Sequence, residues 1–595
     1  MSSLLRLVAS SILPALGAPL AAQTTTLVDI SSQGGAPNGI SAYPSLSGNG
    51  RFVAFESEAS NLVANDNNSR ADIFMRDMTN SSIVCVSVTP SGGNSNDTSM
   101  NPRISRDGRL VAFESLATNL VAGDTNQGRD VFVRDLVLNT TVRASVSSAG
   151  TQGNGDSRLG SISPDGRYVA FYSGSDNLVA GDVNGKGDVF LRDLVTGQTT
   201  LVSVTSAGLQ GNDESDGGSV SENGHYVALW SWASNLVAGD TNGQPDVFVR
   251  DVWGGTTMRV SLTESGAQAN GASLEARIAE GGQYVVFQSY ATNLVTGDTN
   301  GLPDLFVRGV FSGPTVRVDV DSYGGQCTGQ LGNIQSHLCG ISANGRYTSF
   351  FSLYDGFVAG DTNNTADVFV HDSWTGATTR VSLGAGQTQA NDASSDAAIS
   401  FDGRFVAFGS YATNLDPNDS STIQDVFLRD RGLQAATPFC FGDGTQPVPC
   451  PCANSGAPGS GCENSAGSGG ALLWLTGFAE PDSTQLIVAG MTSNPLTVFL
   501  QGDVELAPAV HFGDGLRCAG GNLKRLYTKT GFGGSASVPG FGDLPLGLRS
   551  AALGDPLLPG ASRCYQVYYR DSSAGFCPAP AGDLWNISNG VRVLW

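Results

Sequence analysis

Positive charge, histidine and long apolar segments are all scarce in this chain, and each shortage removes a class of function. Lysine and arginine number 32 against 54 aspartates and glutamates, a formal net charge of -22. Such a surface repels phosphate backbones and anionic lipid, so nucleic acid is not an expected partner. It favours cations and solubility, as in any soluble secreted protein. Histidine occurs only four times, at His225, His337, His371 and His511, in separate stretches of the chain. No Gly-x-Ser-x-Gly occurs, which removes the strand-turn-helix nucleophile elbow. No apolar run reaches the ~20 residues that a membrane-spanning helix needs. Leu7–Leu16 is about half that length. With Arg6 before it and Ala18, Ala21 and Ala22 after it, it reads as an export signal, residues 1–22, cleaved near Ala22. Helical periodicity is missing as well. Glycine, at 78 of 595 residues, is abundant, and the mixture reads as all-β with many tight turns.

What the chain does contain is a repeat. Gly-Arg-Tyr-Val-Ala-Phe-x-Ser is followed by Asn-Leu-Val-Ala-Gly-Asp-Thr-Asn-Gly-x-x-Asp-Val-Phe-Val-Arg-Asp and then Thr-Thr-x-Arg-Val-Ser-Val. The leading glycines are Gly50, Gly108, Gly166, Gly224, Gly282, Gly345 and Gly403, spaced by 58 residues except for one interval of 63. Each unit holds four strand candidates, in the third Gly160–Ser163, Arg167–Ser173, Asp188–Asp193 and Thr199–Val204. The dense apolar runs of the middle two suit strands covered on both faces. Four short strands, seven times over, describe a seven-bladed β-propeller spanning residues 23–435. The seventh unit lacks its last strand, and Thr25–Ser31 at the start of the mature chain supplies it. The N-terminal strand is therefore expected to close blade seven and remove free sheet edges.

Ser163–Phe171, read as Ser-Pro-Asp-Gly-Arg-Tyr-Val-Ala-Phe, together with Asp-Val-Phe-x-Arg-Asp, resembles the TolB-type, WD-repeat-like propeller family over roughly residues 24–432. The resemblance implies the fold. It implies no single activity, since members serve as interaction platforms, as regulatory propellers on peptidases and as polysaccharide lyases. The Asn-Leu-Val-Ala-Gly-Asp-Thr-Asn-Gly loop departs from the family's shorter unit and resembles loops in exported bacterial propellers.

That loop joins the second strand to the third, and in a four-stranded blade it emerges on the same face as the link to the next blade. The long loops make this the expected functional face, presented to a protein or glycan ligand. Oxygen-bearing side chains recur in each loop at positions one, three and seven: Asp66, Asn68 and Asp72; Asp124, Asn126 and Asp130; Asp182, Asn184 and Asp188; Asp240, Asn242 and Asp246; Asp298, Asn300 and Asp304; Asp361, Asn363 and Asp367. Blade seven keeps Asp419 and Asp425 but has Ser421 between them. Ca²⁺ takes six to eight oxygens, so calcium is the metal this pattern suggests, with other groups needed to complete the shell. The competing reading is that these side chains cap their own turn. The Arg-Asp pairs that end the third strands (Arg76-Asp77, Arg134-Asp135, Arg192-Asp193, Arg250-Asp251) read as a structural ion-pair ring between blades, broken at Arg308-Gly309 and His371-Asp372.

From residue 436 to 595 the repeat stops. Cys440, Cys450, Cys452 and Cys462 cluster in a Gly/Pro-rich stretch, with Cys518, Cys564 and Cys577 beyond. Their spacing is not that of a zinc ribbon, and disulfides are expected. Apolar runs at Ala471–Leu475, Gln485–Ala489, Leu496–Leu500, Tyr565–Tyr569 and Val591–Trp595 suggest a disulfide-rich β-sandwich. Its Phe-Cys-Phe-Gly-Asp-Gly opening and Tyr-Arg-Asp…Phe-Cys ending resemble a domain at the C-termini of exported proteins of planctomycete-like bacteria. Tyr565, Tyr568, Tyr569, Trp585 and Trp595 read either as core or as a sugar platform. Cys327 and Cys339 bracket the one insertion and are expected to pair, while Cys85 would tether the C-terminal domain to blade one.

Three functions compete. One is an exported extracellular, periplasmic or cell-surface binding or scaffold protein with calcium stiffening its loops. Another is a metal-assisted polysaccharide lyase or hydrolase at the central channel, and the third a structural envelope component. The irregular residues His225, Glu275, Glu280 and His371 are the enzyme reading's candidates, and their convergence would favour it.

Overall fold

The apolar run of each repeat becomes a strand with no exposed face. In blade three, Tyr168–Ser173 pairs antiparallel with Asp188–Asp193 in the register Tyr168↔Asp193 to Ser173↔Asp188. Val169, Ala170 and Phe171 are all fully buried. Phe171 and Phe190 stack at 5.7 Å across the pair. Ser157–Ile162 flanks this pair on the inside and Thr199–Leu201 on the outside. The computed structural model describes residues 23–311, 313–328, 336–374, 376–419, 421–432, 436–444, 447–476, 484–539, 543–544, 546–557, 561–571 and 584–594. Within them the four-stranded sheet occurs seven times. The expected export signal lies outside the described residues.

Each apolar layer draws on two neighbouring blades. Ala54 and Ile73 of blade one pack with Val111, Phe113 and Phe132 of blade two. A sheet covered on both faces by other sheets explains why the repeats read as unbroken apolar runs rather than alternation. The ring closes as expected. Thr24–Leu27 pairs with Asp425–Asp430, from Thr24↔Asp430 to Leu27↔Phe427.

The Arg-Asp pairs do not form an interblade ion-pair ring. The aspartates of blades one, two, three and six instead bind the arginine that opens their own second strand: Arg51–Asp77 at 2.7 Å, Arg109–Asp135 at 2.7 Å, Arg167–Asp193 at 2.8 Å and Arg346–Asp372 at 2.6 Å. In blade four His225 takes that place beside Asp251 at 3.0 Å. Neighbouring residues on a strand point to opposite faces, so the arginine beside each aspartate faces away from it. That arginine reaches the preceding blade's carbonyls. Arg192 donates to Ser147 O at 3.1 Å, Arg250 to Thr205 O at 3.1 Å and Arg308 to Thr263 O at 3.1 Å.

The C-terminal domain is built on the sheet Ala436–Phe439, Gly590–Leu594, Ser562–Arg570, Leu496–Gly502, Lys524–Thr530, with Trp585–Ile587 beside it. A second sheet comprises Leu472–Thr476, Gln485–Ala489 and Ala536–Val538. Leu473, Leu486 and Val488 meet Phe499, Tyr565 and Tyr569 between the two. Tyr565 and Tyr569 thus belong to the core and not to a platform. Tyr568 and Trp585 are half-buried against each other at 5.2 Å, and Trp595 lies outside the described residues. Disulfides join Cys440 to Cys518 and Cys450 to Cys462.

Two expected bridges are not made. Cys327 sits in the layer between blades five and six, whereas Cys339, a free thiol, packs on the layer between six and seven. A blade lies between them. Cys85 is also a free thiol, beside Ser87, because the C-terminal domain docks elsewhere. It covers the face of the disc made by the tight turns. Trp474, Ile487 and Ala489 pack on Ala343 and Phe401, Phe532 sits 4.4 Å from Phe311, and Asn344 donates to Gln485 at 2.6 Å.

Candidate functional site

On the opposite face the carboxylate loops are held by protein donors. Asp72, Asp130, Asp188, Asp246, Asp304 and Asp367 open the third strands and are buried. In blade two the Arg143 guanidinium lies 3.3 Å from Asp124 and 3.1 Å from Asp130. Gln152 donates to the same two carboxylates at 2.9 and 3.1 Å, and Ser145 donates to Asp130 at 2.5 Å. Arg259 stands likewise between Asp240 and Asp246, Arg317 between Asp298 and Asp304, and Arg380 between Asp361 and Asp367. Blade three has Leu201 in place of the arginine, and there Gln210 bridges Asp182 and Asp188 at 2.7 and 2.8 Å. The loop asparagines turn inward. Asn68, Asn184 and Asn363 donate to Asp72, Asp188 and Asp367, and Asn242 and Asn300 to Asp246 and Asp304. Asn126 donates to Gly153 O and accepts from Gly128 N–H.

Blades one and seven differ. Cys85 and Leu27 replace the arginine, and Asn94 and Ala36 replace the glutamine. Burial, then the charge of Asp72, pushes Asp66 up to about 6. In blade seven a third carboxylate, Asp29, takes the place of the serine. It is fully buried, neither oxygen has a well-aligned donor, and burial and Asp425 hold its acid form well above the usual carboxylate range. Among the described residues, no group of three or more His, Cys, Asp and Glu is arranged to hold a metal ion.

The inner strand of every blade carries a bulge, for example at Ala42/Ser45, Met100/Arg103 and Leu274/Arg277. There Tyr43, Asn101, Glu275 and Asp396 adopt φ of 50–53°. Left-handed backbone in non-glycine residues costs roughly 1–2 kcal/mol each. Four such residues occupy equivalent positions around the channel.

The loop-side mouth is where the repeats diverge. At the position after the second-strand phenylalanine or leucine, the blades carry in turn Glu56, Glu114, Tyr172, Trp230, Gln288, Phe351 and Gly409. Two residues on, Trp232, Tyr290 and Tyr411 are 47%, 47% and 41% exposed. Asn101 joins two of the acids, its backbone N–H donating to Glu56 at 3.2 Å and its side chain to Glu114 at 3.2 Å. Burial, with smaller repulsion from Glu114, Glu58 and Asp396, raises Glu56 to about 7. Sequence reasoning missed this mouth; the signal available was variation within an otherwise uniform repeat.

The channel's other end is filled. Arg106, in blade two's turn, crosses to Glu222 of blade four and Glu280 of blade five, each at 2.6 Å. Phe401 and Trp474 lie 5.7 Å from its guanidinium carbon. The four irregular residues do not converge. Glu280 belongs to this floor, and His225 binds Asp251 at 3.0 Å between Tyr226 and Trp253 on the turn face. His371 is buried against Thr378 at 2.9 Å, and Glu275 alone faces the channel.

These features define a seven-bladed β-propeller with a docked, disulfide-bonded β domain. No family model and no curated protein matches the sequence. Solved structures similar to it include a protein described as TolB from Agrobacterium tumefaciens, with 16% identity, 47% of this chain and 80% of that one covered, and a TM-score of 0.31. An oligogalacturonate lyase in complex with manganese shares 12% identity over 69% of this chain and 96% of its own, with a TM-score of 0.40. A GH74 xyloglucanase from Xanthomonas campestris shares 10% over 71% and 58%, with a TM-score of 0.37. Similarity at this level says nothing about the site, and the propeller description rests on the strand pairing itself.

Proposed function

We propose that this is an exported binding propeller that receives a glycan or protein ligand at the loop-side mouth of its channel. The observation that carries the reading is the divergence of the mouth: exposed Trp232, Tyr290 and Tyr411 with half-buried Glu56, in a molecule otherwise made of near-identical blades. A purely structural component has no reason to vary these positions. Aromatic faces stack on sugars and apolar side chains, and carboxylates orient hydroxyl or amide groups. The disulfides suit an oxidising compartment, and among the described residues no helix is long and apolar enough to cross a membrane. The test is binding of the mature protein to a panel of neutral and charged oligosaccharides and envelope proteins, repeated with a Trp232→Ala, Tyr290→Ala double variant. Loss of binding by at least tenfold is expected. A ligand held equally well by the variant, or no ligand in the panel, counts against the mouth and returns the structural reading.

Calcium enters as a second reading for blades one and seven, where neither arginine nor glutamine bridges the loop carboxylates. Asp66 with Asp72, and Asp419 with Asp425 and Asp29, would supply the charge, with backbone and water oxygens completing the shell. These two blades flank the closure of the ring, so an ion there would tie its seam. Thermal unfolding with excess Ca²⁺ and with chelator tests it. A melting temperature that rises with calcium supports the reading, because a ligand of the folded state stabilises by mass action, and an unchanged one ends it.

A further inference from the structure

Between mouth and floor lies a layer that neither reading uses. The inner strands place Ser45, Arg103, Ser161, Ser219, Arg277 and Gly340 at equivalent positions, with Ala398 completing the seven. Small side chains leave the layer to two arginines, from blades two and five. Blades two and five stand three apart in a ring of seven, so these two inner-strand positions lie across the axis from one another. Arg103 is brought down to about 10, by burial first and then by Arg277.

Both arginines are short of partners. Arg103 donates to Pro102 O at 2.9 Å and Arg277 to Ala276 O at 3.3 Å, each the carbonyl of the preceding residue. Among the described residues neither forms an ion pair within 4 Å. Contrast Arg106, one turn below, which is saturated by two glutamates. Glu114, the acid acting on Arg103, is taken by Arg129 at 3.1 Å. Arg277 has Glu275, two residues back on its own strand, as its first acidic neighbour, and Asp216, which acts on it less, is taken by Arg158 at 3.1 Å. Both arginines are half-buried. A guanidinium carries five donors in a planar fork shaped to an oxyanion, and two facing forks with like charge are stabilised by an anion placed between them.

We propose that Arg103 and Arg277 form an oxyanion subsite at the bottom of a blind channel, which holds the carboxylate, sulfate or phosphate group of a ligand entering from the loop side. The floor of Arg106, Glu222, Glu280, Phe401 and Trp474 closes the other approach. The subsite deepens the proposed binding at the mouth by naming the charge of the ligand's leading end, and it rests on that reading only for the ligand's body. Bare anions test it separately.

The experiment is thermal unfolding and calorimetric titration of the full mature chain with sodium sulfate, phosphate and acetate at constant ionic strength, with chloride as reference. Wild type is compared with Arg103→Gln, Arg277→Gln and the double variant. Sulfate also stabilises proteins by exclusion from their surface, so the double variant supplies the baseline. The expected result is saturable stabilisation by sulfate or phosphate in wild type, weakened at least tenfold in apparent affinity in each single variant and absent in the double. Acetate responding as strongly would place the source among carboxylates, and sulfate and phosphate alone among tetrahedral anions. Without added anion, Arg103→Gln is expected to unfold at or above the wild-type temperature, because it relieves like-charge repulsion. An anion response identical in wild type and double variant overturns the subsite. Anion binding without recognition by the Trp232, Tyr290 surface would instead remove the mouth and leave the subsite standing.

Discussion

The two ends of the central channel are made from the same repeat and have come to opposite conditions. At the turn end charges are matched. Arg106 meets two glutamates, each opening arginine meets its aspartate where both are present, and the C-terminal domain covers the surface with Trp474 and Phe532. At the loop end the scaffold is equally regular out to the rim, where Trp232, Tyr290 and Tyr411 stay exposed while Glu56 is half-buried and Glu114 buried. A repeat copies whatever closes a blade on its neighbour. Where no such constraint acts the copies drift or are selected apart, and the proposed binding at the mouth takes the second of these for the rim.

The comparison breaks most readily at the floor. Arg106→Leu leaves two half-buried glutamates without their partner, a change worth about 3 kcal/mol of destabilisation, the low end for buried pairs because both keep some solvent contact. Lowered thermal and denaturant midpoints check it, and a variant as stable as wild type would show that the floor is not held by charge. Trp474→Ala comes next. Truncating a buried tryptophan costs roughly 3 kcal/mol, here at the contact between domains. Hydrogen exchange at Ala343 and Phe401 should quicken while the loop face keeps its protection; equal quickening on both faces would make the two ends one cooperative unit.

Acid and base should act on opposite ends. Burial lowers His371, toward the turn end of blade six, to about 4, so it is neutral in the fold. Its unfolded form takes a proton below about 6.5, so this contribution, of order 3 kcal/mol, is present above that pH and lost as pH falls toward 4. Glu56, at the loop end, behaves in reverse. Held near 7, it stays protonated in the fold while the unfolded carboxyl ionises, so stability is lost as pH rises from about 4.5 to 7. His371→Asn should flatten the acid limb and Glu56→Gln the neutral one, read as melting temperature against pH. A shared limb affected by both variants would contradict the assignment of each group to its own end.

Much of the fold was legible because a propeller blade is a local pattern repeated. Strands, turns and a closing N-terminal segment follow from spacing and apolar runs, and the structure pairs Thr24–Leu27 where the sequence pointed to Thr25–Ser31. The C-terminal domain was less so. Val504–Phe512, interrupted by Pro508, pairs with Gly515–Gly520 as a separate two-stranded sheet, and Lys524–Thr530 is mostly polar yet joins the edge of the larger sheet. Partnerships across blades were illegible for a different reason. Arg106 finds Glu222 and Glu280 at separations of 116 and 174 residues, and only closure of the ring brings them together. The cysteines misled because proximity in sequence at Cys327 and Cys339 hides an intervening sheet. The loop aspartates were placed correctly on one face, but the cation nearest them in four blades is an arginine from the outer strand, which the spacing of acidic residues alone does not reveal.

That arginine permits the finest test of the comparison, since blade three shows what the loop does without it. Arg143→Leu makes blade two imitate blade three, where Leu201 stands at the same position and glutamine alone bridges the carboxylates. Gln152 and Ser145 remain as donors to Asp124 and Asp130, so the cost should stay near 1–2 kcal/mol at neutral pH rather than reach that of the floor. Losing the guanidinium, which favours the charged form of Asp124, raises that carboxylate's affinity for protons, so the deficit should shrink as pH falls toward 5. The variant should also bind calcium more readily than wild type, since two carboxylates have lost their built-in cation. Melting temperatures of Arg143→Leu with and without Ca²⁺, at pH 5 and pH 7, decide it. A deficit independent of pH and calcium would mean that the arginine packs against the loop through its aliphatic stem, and that its charge has no part in holding the loop face.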